Sequence, residues 1–104
     1  MKITNIEFEF SEWAEGFDPE DANADVYFEL EDHTLWCAAF FTYKNLETLT
    51  ENYRQSGECL SGAYFCADKP IFISRMDKEL IAEVLDDIVS REKDLSAVFT
   101  KVGK

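Results

Sequence analysis

Apolar and polar residues alternate twice near the start of the chain. Ile6, Phe8 and Phe10 alternate with Glu7 and Glu9, which predicts a first strand over residues 2–10 with one wet face. Ile3 falls out of that phase, as at a bulge or at a strand's start. Val26, Phe28 and Leu30 alternate with Asp25, Tyr27, Glu29 and Glu31, which predicts a second strand over 25–31. The stretch from Thr34 to Thr42, Thr-Leu-Trp-Cys-Ala-Ala-Phe-Phe-Thr, is the longest uncharged apolar run and barely alternates. It reads as a central strand buried on both faces for part of its length. Asp32-His33 makes the turn between these two strands and is not the favoured Asp-Gly pair, so the turn type stays open.

The period then changes. Leu46, Leu49 and Tyr53 recur at helical spacing, with Thr42 as N-cap and Gly57 as stop, so a first helix is predicted over 43–56. Two short strands are predicted next, near 62–67 and 70–75, with Asp68-Lys69 as a tight turn and Pro70 at a strand start or edge. Leu80, Ile81, Val84, Leu85, Ile88 and Val89 form a wide apolar stripe behind the cap Asp77, so a second helix spans 78–91. Asp94 caps one further turn, with Leu95, Val98 and Phe99 packing inward. Residues 11–24 hold Gly16, Pro19 and Asn23 and read as a long loop, with Trp13 and Phe17 tucked onto the core or over a sheet edge. The order βββ-α-ββ-α implies a single α+β domain over residues 1–104. Its sheet is five-stranded and mostly antiparallel, with two main helices on one face and the other face partly wet.

Composition supports a folded core. Apolar residues make up 46% of the 104 positions and aromatics 14%, which argues against disorder. Charge adds more to the picture. The net charge is −12, and residues 1–32 hold eleven carboxylates against Lys2 alone. Residues 33–104 are close to balance, with eleven acids and nine bases. An acidic field of this kind repels phosphate backbones and anionic membranes, so neither nucleic acid nor membrane is expected as a partner. A basic protein or a cation is the natural complement. Cys37, Cys59 and Cys66 are an odd set with no C-x-x-C spacing, and no secretory signal is evident. Reduced thiols in a cytoplasmic protein are therefore expected, and neither a zinc site nor any cofactor.

Catalytic and ligand patterns are weak. His33 is the single histidine, and Cys37 lies four residues on, about 13 Å along an extended chain, too far for a nucleophile pair. Asp18 to Asp25 offers oxygen ligands but lacks the glycine and the spaced glutamate of a calcium loop. Gly57 to Gly62 precedes a predicted strand and carries no Lys-Ser/Thr, so it is a turn rather than a phosphate cradle. The aromatics at 36, 40, 41, 64, 65 and 72 read as core. An enzyme is not expected.

The acidic faces are the informative feature. Like charges on neighbouring strands weaken a sheet, and stability alone would intersperse lysines among them. Two readings stand. One is a surface for a basic partner, built from Glu7, Glu9, Asp25, Glu29 and Glu31 with Tyr27, Trp13 and Phe17 as anchors. The other is a solvated face that deters edge-to-edge aggregation. A short acidic α+β chain with exposed aromatics among its N-terminal acids, Glu7 through Asp32, resembles the bacterial immunity and antitoxin-type proteins. The resemblance implies a non-enzymatic domain that neutralises a basic toxin by covering its positive cleft. It rests on size and charge and carries over no site residue. The alternatives are a self-associating regulatory module, with a homodimer formed through a sheet face or edge, and a small-molecule-binding domain.

Overall fold

The computed structural model describes residues 1–103. The chain folds as an α+β domain around a mostly antiparallel five-stranded sheet. Strands β1 (Ile3–Phe8), β2 (Asn23–Leu30) and β3 (Leu35–Thr42) form an antiparallel meander. The register of β1 against β2 slips between Ile3 and Asn5, which is where Ile3 left the alternation. Helix α1 (Tyr43–Ser56) follows β3 without a loop. Thr42 Oγ1 caps it by accepting the Asn45 backbone N–H at 3.1 Å, and Gly57 closes it in the left-handed conformation.

The stretch after α1 departs from the expected pattern. No strand forms over 62–67. The chain instead makes one turn, α2 (Glu58–Gly62), in which Cys59, Leu60 and Ser61 are left-handed with φ of 49°, 52° and 58°. Residues 63–69 then run without regular structure to β4 (Pro70–Ile73), which pairs parallel to β3 rather than in a hairpin. The apolar composition of 62–67 suggested a strand, but Phe65 is used to pack against Phe41 at 5.4 Å between ring centroids. The fifth strand lies elsewhere. After α3 (Lys78–Arg91) and a 3-10 turn at Leu95–Ala97, residues Thr100–Val102 form β5, antiparallel to β3. The observed order is thus βββ-α-β-α-β around the short turn α2. β3 is central, with β2 along one edge. β4 and β5 share its other edge, at opposite ends.

One face of the sheet carries the core. Val26, Phe28, Leu30, Ala38 and Phe40 are buried there against Ile81, Leu85 and Val89 of α3, with Met76 and Phe99 filling the ends. Burying each of these side chains other than Ala38 contributes about 1.5–3 kcal/mol. The Asp77 carboxylate caps α3 by accepting the Leu80 N–H at 3.1 Å. Helix α1 is different, because its one buried residue is Asn45, a polar one. Leu46, Leu49 and Tyr53 are half-buried and stand outside the main core. The radius of gyration is 14.8 Å, against about 13 Å for a compact chain of this length, as expected when a helix does not lie over the sheet.

Candidate functional site

The other face of the sheet is open over β1, β2 and the start of β3, while Phe65 covers Phe41 at the far end of β3. Strand alternation sends Asp25, Tyr27 and Glu29 to it from β2, and Leu35, Cys37, Ala39 and Phe41 from β3. The pairing aligns these side chains in rows. One row runs Glu7–Tyr27–Cys37–Thr100 across β1, β2, β3 and β5, and the next runs Asn5–Glu29–Leu35–Val102. None of these side chains is buried, whereas their inward neighbours Val26, Phe28, Ala38 and Phe40 are.

Charge on this face is poorly balanced. The ion pairs among the described residues are His33–Glu29 at 3.8 Å, Arg54–Glu51, Arg75–Asp77 and Arg91–Asp87. Glu7, Glu9 and Asp25 have no basic partner among them. The surrounding acids also act on two weak acids at the centre. The negative charge of an ionised Cys37 beside it pushes the Tyr27 hydroxyl above its ordinary 10.0, aided by partial burial and by the Asp25 carboxylate. Burial, then Asp25, pushes the Cys37 thiol above 9.0. Both groups are therefore protonated near neutral pH. Two hollows flank Tyr27. One, of about 150 Å³, lies between Glu7, Glu29, Leu35 and Val102. The other, of about 390 Å³, lies between Asp25, Cys37, Thr100 and the Asp68–Lys69 turn.

The structure brings together five of the eight residues the sequence singled out. Glu7, Asp25, Tyr27 and Glu29 share the open face by register. Glu9 lies close enough for its charge to act on Tyr27 and Cys37. The other three are elsewhere. Glu31 sits beyond the end of β2, where its Oε1 accepts the Lys2 backbone N–H at 3.0 Å. Phe17 stacks on Phe10 at 5.6 Å and packs against the core. Trp13 is 94% exposed. Its loop reaches the start of α3, where Glu12 Oε1 accepts the Lys78 N–H at 3.5 Å. The expected role of that loop as an extension of the acidic face thus meets a different placement. The loop follows Phe8 and Phe10 toward the α3 side, where the Lys78 ammonium lies 5.3 Å from the Phe8 ring centroid.

The sequence reading missed Leu35, Cys37, Asp68 and Val102 as site residues. The odd positions of β3 were readable as a face, but Val102 and Asp68 join it only through long-range pairing. No grouping of three or more metal-binding side chains occurs among the described residues, and no helix among them is long and apolar enough to cross a membrane. His33 occupies its turn with φ of 68°, and its nearest charged neighbour is Glu29. The comparisons with family models, with curated proteins and with solved structures found no match to this chain.

Proposed function

We propose that this chain is a non-enzymatic binding domain whose open sheet face covers a basic protein, in the manner of the toxin-neutralising immunity proteins it resembles. The observation that carries this reading is the uncovered row of Glu7, Tyr27 and Cys37 with Asp25 and Glu29 beside it; among the described residues the acids Glu7, Glu9 and Asp25 have no basic partner. A sheet that spends one face on its core usually mixes signs on its wet face for solubility. Here one sign prevails around a half-buried tyrosine, and an aromatic framed by unpaired charge is the composition of an interface anchor. Such a face steers a basic partner into contact and then excludes solvent and substrate from the partner's cleft.

The test is affinity capture from the native lysate at low salt, with the parent chain and with a quadruple variant, Glu7→Gln, Glu9→Gln, Asp25→Asn and Glu29→Gln. The expected outcome is a basic protein held by the parent, released by salt and absent from the variant. Capture of the same protein equally by both chains would assign the carboxylates to solubility alone.

A further inference from the structure

Within that binding reading, on which this step rests, the structure assigns the smaller hollow beside Tyr27 as a seat for an arginine side chain of the partner. The hollow has about 150 Å³ of space, of the order of one long side chain. Its lining is divided by chemistry. Leu35, 46% exposed on β3, and Val102 on β5 are apolar and face each other across one strand pairing. They offer the methylene stem of a long cation a dry surface. Tyr27 lines both hollows and supplies an aromatic wall. Glu7 and Glu29 complete the rim. Glu7 pairs directly with Tyr27, and Glu29 lies two residues further along the same face of β2. Carboxylates at such diagonal positions stand about 7–8 Å apart at their backbones, within reach of one planar fork between them.

This combination discriminates between cations. A guanidinium stacks on an aromatic face and donates through several N–H groups in fixed directions, so it engages the ring and both carboxylates together. An ammonium is a compact, strongly hydrated point charge and engages one of them at a time. The larger hollow offers a poorer seat. Lys69 lines it and already places a cation there, its Nζ donating to the Phe99 carbonyl at 3.3 Å. Among the described residues no basic side chain lines the smaller one. Near its rim the His33 Nδ1 lies 3.8 Å from Glu29 Oε2, and the His33 side chain is 89% exposed, so it is easily displaced.

The experiment compares fluorescently labelled oligo-arginine and oligo-lysine peptides of equal length, binding to the full chain at low salt by anisotropy. Two variants accompany the parent. Tyr27→Leu removes the ring. Leu35→Lys, at a position already 46% exposed, puts a competing ammonium into the hollow without disturbing the core. The expected result is that oligo-arginine binds roughly fivefold tighter than oligo-lysine to the parent, and that either variant abolishes this preference. Equal affinity for the two peptides, or a preference that survives both variants, overturns the arginine seat and leaves the acidic-face reading standing. Failure of the parent to bind either peptide overturns both.

Discussion

Replacing Asn45 with alanine should loosen α1 from the sheet. The helix contributes no apolar side chain to the buried core, so something else must fix its direction. The Asn45 amide is 7% exposed and makes two side-chain hydrogen bonds. Its Nδ2 donates to Asp21 Oδ1 at 2.9 Å, and its Oδ1 accepts Asn23 Nδ2 at 2.8 Å. Thr48 Oγ1 donates to the other Asp21 oxygen at 2.7 Å. The network therefore joins the loop before β2, the first residue of β2 and the first two turns of α1. It also sets the Asp21 carboxylate by the helix N-terminus, where the macrodipole favours an anion. Truncating a buried amide with two such bonds costs about 2–3 kcal/mol, some of the loss being made up by water at the exposed rim. For a domain of this size that corresponds to a fall in Tm of roughly 10–15 °C. The Thr42 cap survives in the variant, because Thr42 Oγ1 accepts the backbone N–H of position 45 and not its side chain.

Two measurements check this together. Urea unfolding followed by circular dichroism gives the loss of stability, and native-state hydrogen exchange shows whether α1 amides lose protection ahead of β2 and β3. A loss below about 1 kcal/mol, with α1 exchanging as in the parent, would refute the reasoning. Leu46, Leu49 and Tyr53 would then hold the helix through their contacts outside the main core.

Further predictions follow from particular groups. Gly57→Ala places a methyl in open space at φ of 88° and should cost about 1 kcal/mol in thermal unfolding. Gly62→Ala, at φ of 82°, also drives its Cβ into the Thr50 carbonyl oxygen and should cost at least twice that amount. Stability should fall on the acid side through three carboxyls held below their ordinary 3.8. They are Asp21 by the Asn45 amide and Thr48 hydroxyl, Asp32 by the Thr34 hydroxyl and N–H, and Asp77 by the Leu80 N–H. These groups bind protons less tightly folded than unfolded, so their contribution is complete above about pH 5 and is lost as the pH drops through and below 4. On the alkaline side Cys37 and Tyr27 bind protons more tightly when folded. Their contribution is complete below about pH 8 and is lost as the pH climbs past 9 and 10, a limb that Cys37→Ala should weaken in a pH series of urea midpoints. Thiol labelling of the native chain should modify the exposed Cys66 first and the half-buried Cys37 last, as read by mass spectrometry over time.

Much of this fold was legible because its signals are local. Thr42 and Gly57 bracket α1, and Asp77 opens α3, each through a bond that spans three or four residues. The alternation of Val26, Phe28 and Leu30 with acids sorts β2 between core and solvent without knowledge of any partner strand. What stayed hidden depends on distant pairing. Thr100–Val102 is three residues long and becomes a strand only because Leu35–Cys37 offers a free edge at that end of β3. The stretch 62–67 has strand-like composition, but the left-handed residues 59–62 turn the chain away before it can pair. Pro70–Ile73 then joins β3 in parallel, a pairing that no turn residue specifies.

The candidate site divides along the same line. Its carboxylates were readable because they alternate with core residues on their own strands, and register kept Glu7, Asp25, Tyr27 and Glu29 on one face. Its loop aromatics were placed only in part, because a loop has no period: the expected tuck onto the core held for Phe17 and not for Trp13. Phe17 found Phe10, and Trp13 found nothing to pack on. The apolar wall came from the β3–β5 pairing, which seats Val102 opposite Leu35 and turns a flat acidic sheet into a hollow. Flat acidity attracts any cation, whereas a hollow with one aromatic and one apolar side selects among them. On the proposed binding reading, selectivity at this face would reside in Tyr27, Leu35 and Val102 more than in the count of its charges. A variant that keeps every carboxylate but fills the hollow should still attract basic proteins and lose its discrimination between them.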